Sequence, residues 1–352
     1  MKVNRFLAEI HEQPVAMRDT LDFYLRGDGS KPLSQAVHEW KDQQFDRIIF
    51  TGMGSSFFVS NTASAILNSH GIQAMSINAG ELIHYHFPVV TPRTLMVCIS
   101  QSGESYEIVK LLEKLAGGIY CVGISNEPES TLARQCNLLL LSRAGKEYMT
   151  STKTFTSTAL VAIIFALAIA EQWTSAKVSG VRSMIETVEN LIQISSSFLP
   201  GSMDLLGKSG FVQLLGRGPS MAAAQQGALM FLEGARRPAS ALFSGEFRHG
   251  PMELVNEGFR AIILAPDGET YLQHVKLAQD ISSFGGSVIF ISNNDPRLLS
   301  DRIMFIPVQC PEEYLFPIPA CIPIQFMVNE CAIGKGYIPG EFIRGSKVTT
   351  IE

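Results

Sequence analysis

Residues 100–105, Ser-Gln-Ser-Gly-Glu-Ser, concentrate three hydroxyls and one side-chain amide in a single short stretch. An apolar run at residues 94–99 precedes this stretch, and a segment of helical period at residues 106–115 follows it. A turn between a buried strand and a helix offers free backbone N–H groups and the positive end of the helix dipole, which suit an anion and phosphate above all. We therefore predict phosphate binding here, and a simple helix cap is the alternative.

A second hydroxyl-rich turn, Gly-Met-Gly-Ser-Ser at residues 52–56, follows the short apolar strand predicted at residues 47–51. It lacks the third glycine of a dinucleotide fingerprint and the Gly-Lys-Ser/Thr of a Walker loop. Neither turn contains Lys or Arg, so hydroxyl and N–H groups would hold a single phosphate. A third polar turn, residues 150–156, either caps the next helix or belongs to the same pocket.

Glu233 is a candidate acid or base. It ends a segment of helical period and follows the apolar residues 228–232. Burial of that stretch would partly desolvate the carboxyl, which raises its pKa and lets it transfer protons near neutral pH. The alternative is a surface glutamate that pairs with Arg236 or Arg237.

Two further residues have types that suit sugar chemistry. His249 lies in the Gly- and Pro-flanked residues 245–251, where a rigid segment suits a proton-transfer group, although a plain surface histidine is the alternative. Lys347 lies in the C-terminal residues 345–352. Such a tail is usually solvated, but if it packs into a cleft, Lys347 can form a Schiff base with a ketose carbonyl.

Composition limits the classes of protein to consider. With 352 residues, 46% hydrophobic and 17% charged, the chain is globular and long enough for two domains. A net charge of −5 without a basic run argues against nucleic acid. The His-Tyr-His run at residues 84–86 lacks the partner residues of a metal site, so no metal is predicted.

The same composition predicts a cytoplasmic protein. Its six cysteines form no Cys-x-x-Cys pair, which is typical of free thiols in a reducing compartment. No signal peptide is expected, and the longest apolar run, residues 159–170, is too short to cross a bilayer and predicts a buried helix.

Strands alternate with helices along the chain, which predicts parallel sheets in an α/β fold with ligands beyond the carboxyl ends of the strands. Strands are predicted at residues 47–51, 75–78, 95–99, 119–124 and 138–141. Residues 211–220 resemble residues 48–56, and residues 288–293 resemble 121–126, so we predict two domains of one fold. A first helix, residues 6–25, is expected to be interrupted at Pro14.

These motifs, in this order, resemble the phosphosugar-binding SIS (sugar isomerase) family, and in particular the isomerase half of glucosamine-6-phosphate synthase with its deaminase and deglycase relatives. The resemblance covers nearly the whole chain and is carried by residues 9–14, 52–56, 100–105, 151–153, 233, 245–251 and 347. It implies two tandem SIS domains, each a parallel five-stranded sheet between helices, in a homodimer without cofactor or metal. The implied boundaries are an N-terminal helical segment at 1–30, domains at 31–175 and 200–340, a helical connector at 176–199, and a tail at 341–352.

The resemblance also implies residue roles. Glu233 would move a proton between C1 and C2 of the sugar, His249 of the partner subunit would open the ring, and Lys347 would form the imine. The 6-phosphate would bind to side chains of the hydroxyl-rich turns: Ser56, Ser100, Gln101, Ser102 and Ser105. The rest of the sugar would contact Ser55, Ser151 and Ser346.

Two departures from the synthase matter. We expect no glutaminase domain in this chain, and by the resemblance Gln226 and Met230 stand where the synthase helix carries Glu and Lys. We therefore expect an enzyme that releases an amine from an amino-sugar or sugar–amine 6-phosphate, as a deaminase or a deglycase does. The alternatives are an aldose–ketose isomerase, a synthase-like aminotransferase without the glutaminase domain, and a non-catalytic phosphosugar sensor.

Overall fold

The computed structural model describes residues 4–207, 210–349 and 351. The other residues, which fall in the predicted N-terminal segment, second domain and tail, lie outside the described residues. In the described part of the chain, the strands form two parallel five-stranded sheets with helices packed on them, which confirms the predicted α/β class with two five-stranded sheets. None of the helices that the structure describes combines the length and apolar character needed to cross a bilayer.

The first sheet consists of β1 (Arg47–Gly52), β2 (Ala74–Asn78), β3 (Thr94–Ile99), β4 (Cys121–Ser125) and β5 (Leu138–Leu141). The second consists of β6 (Val212–Gly216), β7 (Ala239–Phe243), β8 (Arg260–Leu264), β9 (Ser287–Ser292) and β10 (Ile303–Pro307). Their strand orders are β2-β1-β3-β4-β5 and β7-β6-β8-β9-β10. The two orders are identical when the strands are counted from the first of each sheet, as the predicted duplication requires.

In chain order, the earlier helices are α1 (Arg5–Arg26), α2 (Ser30–Asp42), α3 (Ser55–Ser69), α4 (Ala79–Glu81), α5 (Tyr106–Leu115), α6 (Thr131–Gln135) and α7 (Lys153–Ile169). The later helices are α8 (Ser175–Gln193), α9 (Ser195–Leu206), α10 (Met221–Gly234), α11 (Ser244–Phe247), α12 (Tyr271–Ser283) and α13 (Pro317–Gly334). There is also a π-helical turn at Leu82–His86, and there are 3-10 turns at Phe87–Val89, Gly218–Ser220 and Pro251–Leu254.

The chain divides into two compact units, which we name after their strands. The β1–β5 unit contains Glu12–Glu147, Lys153–Val178 and the described residues from Ile343 onward. The β6–β10 unit contains the described residues up to His11, together with Tyr148–Thr152 and Ser179–Phe342.

In the β1–β5 unit, β3 is buried at every residue because helices cover both faces of a parallel sheet. Helix α7 is also buried along its whole length and packs on α3, which confirms the buried helix predicted from the apolar run. In the β6–β10 unit, α10 packs on β6 and β7 and against α13, most of which is buried. Each sheet is therefore the centre of its own hydrophobic core.

Helix α1 corrects one prediction. The helix is continuous from Arg5 to Arg26 and contains Pro14, so the expected interruption is wrong. Proline removes one backbone hydrogen bond and costs about 3 kcal/mol in a helix interior. The helix also buries the apolar side chains of Ile10, Met17 and Leu21, and this burial offsets that cost.

Candidate functional site

In the β1–β5 unit, the turn that joins β3 to α5 folds its serines against its own backbone. The Ser100 and Ser105 hydroxyl oxygens lie 3.1 Å apart. The backbone N–H of Gly103 donates to Ser100 Oγ at 3.1 Å, and that of Glu104 donates to Ser102 Oγ at 3.2 Å. These bonds gather the hydroxyls of the turn at the carboxyl end of β3, where α5 begins.

The same turn is anchored to the neighbouring strand through Gln101. Its backbone carbonyl accepts hydrogen bonds from Ser125 Oγ at 3.2 Å and from the Asn126 N–H at 3.0 Å. Both donors lie at the carboxyl end of β4. The backbone of the turn is thus held in place, and the Gln101 side chain is half-buried.

The second hydroxyl-rich turn, residues 52–56, leaves the same edge of the sheet because β1 pairs directly with β3. A Cβ on Gly52 would lie 2.9 Å from the Ile99 carbonyl oxygen, so the two strand ends approach closely only because this residue is glycine. Ser55 and Ser56 are the first residues of α3 and are half-buried. The register therefore places both turns side by side.

The C-terminal tail reaches this edge of the β1–β5 unit. The carbonyl of Thr349 accepts a hydrogen bond of 3.1 Å from the N–H of Tyr106, which directly follows Ser105. Lys347 Nζ lies 2.6 Å from Glu147 Oε2. The lysine predicted to form an imine and the predicted phosphate turn thus belong to one unit and are joined through the tail. Ser346 is exposed, and its hydroxyl donates to the carbonyl of Val348.

Glu147 is a residue that the sequence analysis missed. Its side chain is completely buried, and its carboxylate accepts the Thr154 N–H at 3.1 Å and the Thr154 hydroxyl at 2.5 Å. Thr154 lies in the first turn of α7, where the helix dipole favours a negative charge. The only local signal was an acidic residue shortly before a hydroxyl-rich helix start.

In the β6–β10 unit, one face of α10 packs on the segment Tyr148–Thr152. Glu233, which is half-buried, accepts a hydrogen bond from the Thr150 hydroxyl. Two turns earlier, the side-chain amide of Gln226 donates to the Ser151 carbonyl at 2.9 Å. Two of the predicted residues, Glu233 and Ser151, thus occur on contacting segments of one unit.

The arginines named as alternative partners of Glu233 bind backbone carbonyls. Arg237 is buried and donates to the carbonyls of Leu206, Gly207 and Gly210. Arg236 donates to the carbonyl of Glu341 and stacks over the ring of Tyr337, 4.4 Å from its centroid. These contacts hold both guanidinium groups against the surrounding chain.

His249 follows the short helix α11 and lies on the surface of the β6–β10 unit. Its backbone N–H donates to the Glu246 carbonyl at 2.9 Å, and the next residue, Gly250, has φ +127°. The imidazole is exposed, which agrees both with a group offered to another subunit and with an ordinary surface histidine. Within the described residues, no cluster of three or more His, Cys, Asp or Glu side chains has the arrangement of a metal site.

Comparison with known proteins gives one family. The sequence model of the SIS domain family matches residues 43–168 and 205–332. Glutamine–fructose-6-phosphate aminotransferase (isomerizing) from Pyrococcus horikoshii is 29% identical over 354 residues, which cover 98% of this chain and 57% of that protein. The chain therefore spans little more than half the length of this curated relative.

Two solved structures have the same fold over nearly the whole chain. The C-terminal domain of glucosamine-fructose-6-phosphate aminotransferase from Francisella tularensis superposes with a TM-score of 0.85 at 25% identity, covering 96% of this chain and 97% of that one. Glucosamine-6-phosphate deaminase from Thermotoga maritima gives a TM-score of 0.73 at 22% identity, covering 98% and 99%.

Proposed function

Since the chain belongs to the SIS domain family, we propose that it is an enzyme that binds a sugar 6-phosphate and releases an amine from it, with aldose–ketose proton transfer. The substrate class is an amino-sugar or sugar–amine 6-phosphate. The observation that carries the proposal is the position of Lys347, an amine on a tail that is hydrogen-bonded to the first residue after the hydroxyl-rich turn.

The phosphate is assigned to Ser56, Ser100, Gln101, Ser102 and Ser105. The start of α3 and the start of α5 lie at one edge of the sheet, so their N–H groups and dipoles add to the serine hydroxyls. Ser55, Ser346 and Ser151 are assigned to the remaining sugar oxygens. Phosphate binding at C6 anchors the substrate away from its reacting carbons, so that binding energy is used to orient C1 and C2.

The chemistry begins with a proton shift. Glu233 takes the proton from C2 of the open-chain amino sugar and returns one to C1, while a proton passes from the C2 amine to the C1 oxygen, so that a C1 hydroxyl and a C2 ketimine are formed. Lys347 attacks C2, the substrate amine leaves, and a lysine imine remains. Water then adds to that imine, and the ketose 6-phosphate departs as Lys347 is regenerated. The Thr150 hydroxyl supports the step by orienting the Glu233 carboxylate.

Ring opening is assigned to His249 of the partner subunit in a homodimer. Exposure of the imidazole on the surface of the β6–β10 unit supports this assignment. Six free cysteine thiols support a reducing, cytoplasmic setting for the enzyme.

Met230 favours a deglycase over a deaminase within this proposal. It is completely buried, and the Gln226 side chain one turn earlier is neutral, so this face of α10 carries no charged pair. A helix face packed without an ion pair favours a bulkier, less polar leaving amine over ammonia. The amine is therefore expected to be an amino acid rather than ammonia.

A panel of 6-phosphates tests the proposal: those of glucosamine, N-acetylglucosamine, fructose, and fructose–amino acid and glucose–amino acid adducts. Free amino acid, free ammonia and aldose–ketose interconversion are measured together for wild type, Glu233→Gln and Lys347→Ala. Lys335→Ala is the control, because the Lys335 ammonium binds the backbone carbonyls of Ala235 and Arg236. Amino acid release that is lost in both site variants and kept in the control is the expected result.

The other outcomes identify the alternatives. Ammonia from glucosamine 6-phosphate would make the protein a deaminase. Interconversion of fructose 6-phosphate that survives Lys347→Ala would make it an isomerase without nitrogen chemistry. Tight binding of the phosphosugars with no turnover of any of them would indicate a non-catalytic phosphosugar sensor instead of an enzyme.

A further inference from the structure

We infer that Glu147 is the positioning residue of Lys347: it holds the lysine at the edge of the β1–β5 sheet and accepts its proton when the amine attacks the substrate. The inference rests on the proposed function, because it assumes that Lys347 forms an imine. It assigns a role to a carboxylate that lies outside the set of residues named above for phosphate, sugar and proton transfer.

The Glu147 carboxylate is itself fixed before it meets the lysine. The backbone N–H and the hydroxyl of Thr154 both donate to it, and Thr154 belongs to the first turn of the fully buried helix α7. The Glu147 side chain is completely buried, whereas 22% of the Lys347 side chain is exposed. A rigid, buried anion thus meets a cation that approaches from the solvent side.

The tail needs this anchor because it has no regular secondary structure of its own. Lys347 lies two residues before Thr349, whose carbonyl is bound by the Tyr106 N–H. A lysine side chain on such a segment loses rotamer entropy when it is ordered. The contact of 2.6 Å between Lys347 Nζ and Glu147 Oε2 is an interaction that offsets that loss.

The same contact places a proton acceptor beside the Lys347 ammonium. An ammonium has no lone pair, so Lys347 must lose a proton before it can attack a carbonyl or ketimine carbon. The proton passes from Nζ to Glu147 Oε2, the neutral amine adds to C2 of an open-chain ketose, and a second proton moves from the nitrogen to the C2 oxygen to give the carbinolamine. Glu147 then returns the proton to the C2 hydroxyl of the carbinolamine, which leaves as water and produces the lysine iminium. Atoms and charges balance, and the cationic iminium remains beside the carboxylate.

Trapping the imine tests the inference. Fructose 6-phosphate and sodium cyanoborohydride are added to wild type and to Glu147→Gln, and the reduced adduct on Lys347 is followed by intact and peptide mass spectrometry. The dissociation constant for fructose 6-phosphate is measured by calorimetry. Tryptic cleavage after Lys347, without substrate, reports separately whether the tail is held.

Glu12→Gln is the matched control, because Glu12 pairs with Lys153 at 2.5 Å in the same unit. Thr154→Val is a second test variant, since it keeps the Glu147 carboxylate and removes one of its donors. Thermal melting checks that all of the variants are folded. Because Thr154→Val changes no charge, it remains informative if Glu147→Gln fails to fold.

We expect Glu147→Gln to slow adduct formation at least tenfold and to speed cleavage after Lys347 at least fivefold, with less than a threefold change in the dissociation constant. Thr154→Val should slow the adduct three- to tenfold, and Glu12→Gln should match wild type. Equal trapping and equal cleavage in wild type and Glu147→Gln would overturn the inference and leave the proposed function standing. If wild type binds fructose 6-phosphate but gives no adduct, the imine step of the proposed function is wrong, and so is the proton-accepting role of Glu147. The rate of tryptic cleavage after Lys347 then decides whether Glu147 positions Lys347.

Discussion

The carbonyl oxygen of Thr349 lies 3.1 Å from the backbone nitrogen of Tyr106 and accepts its hydrogen bond. Tyr106 is the first residue of α5, so the tail uses one of the N–H groups that a helix start leaves without an intrahelical partner. Ser105, which precedes Tyr106 as the N-cap residue of α5, is also the last residue of the hydroxyl-rich turn. The tail and the proposed phosphate site therefore share one helix N-terminus.

Replacing Tyr106 by proline should release the tail. Proline is tolerated at the first helical position, and Ser105 before it already has the extended backbone that proline requires, with φ −59° and ψ 135°. The change removes the N–H that Thr349 accepts. Tryptic cleavage after Lys347 should become at least threefold faster than in Tyr106→Ala, which loses the ring and keeps the N–H. Equal rates in the two variants would show that this bond does not hold the tail.

Thr150→Val should impair catalysis. The buried Thr150 hydroxyl donates to Glu233, and a hydrogen bond to a charged group is worth about 1.5–3 kcal/mol. Removing it should lower kcat by roughly 10- to 100-fold if Glu233 transfers the proton. Thr158→Val, at another buried threonine, is the control. A wild-type kcat in Thr150→Val would show that the Thr150 hydroxyl does not contribute to catalysis.

Gly103→Ala should abolish phosphate binding. Gly103 has φ +65°, and a Cβ there would lie 2.1 Å from Ser130 Oγ, so the turn must open. Gly71→Ala is a close match, because φ is +75° and nothing lies within 4 Å. Calorimetric titration with inorganic phosphate and with a sugar 6-phosphate should show loss of binding only for Gly103→Ala. If both variants bind normally, the turn is not the phosphate site.

Met230→Lys should destabilise the β6–β10 unit, and Gln226→Glu should partly rescue it. Met230 and Gln226 are both completely buried and lie one helical turn apart. A buried lysine without a partner costs several kcal/mol, roughly 3–5 by analogy with broken buried pairs. In a denaturant double-mutant cycle, the coupling free energy should be at least ~1 kcal/mol and favourable. Strict additivity would mean that the two side chains do not meet.

His274 should make stability depend on pH. Burial lowers the pKa of His274 from 6.5 to about 4, against an opposing hydrogen bond to the Thr270 carbonyl, and the charge of Arg217 lowers it further. Between about pH 6.5 and 4, the imidazole is therefore protonated in the unfolded chain and neutral in the folded chain. The free energy of unfolding should decrease by up to about 3 kcal/mol as the pH falls from about 6.5 to 4.

His274→Asn provides the comparison for this pH dependence, because its amide can still donate to the Thr270 carbonyl while no longer titrating. Urea unfolding at a series of pH values should give a flatter profile for the variant between pH 4 and 6.5. Parallel profiles for wild type and variant would assign the acid sensitivity to other groups.

Local patterns in the sequence predict most of the strands of the first sheet. The strand predicted at residues 138–141 coincides with β5, and that predicted at residues 119–124 differs from β4 by two residues at its start and one at its end. Strands buried on both faces are continuous apolar runs, so their positions can be read without knowing what covers them. The resemblance between residues 211–220 and the β1 region likewise anticipated the shared order of the two sheets.

Features that depend on distant residues were not predictable in the same way. Pro14 lies inside a continuous helix because burial of the surrounding apolar side chains offsets the lost hydrogen bond. Lys347 contacts a glutamate 200 positions earlier, and Glu233 contacts a threonine 83 positions earlier. Periodicity and spacing report on neighbours within a few turns and carry no information about such pairs.

The sequence by itself determined two tandem parallel α/β units and the glycine- and serine-rich turns at their strand ends, since apolar runs and turn residues act through local backbone preferences. Only the tertiary structure decided which side chains meet: Lys347 with the buried Glu147, Thr150 with Glu233, and Thr349 with the start of α5. Each of these contacts joins segments that lie far apart along the chain, and the packing of the cores determines where the segments meet.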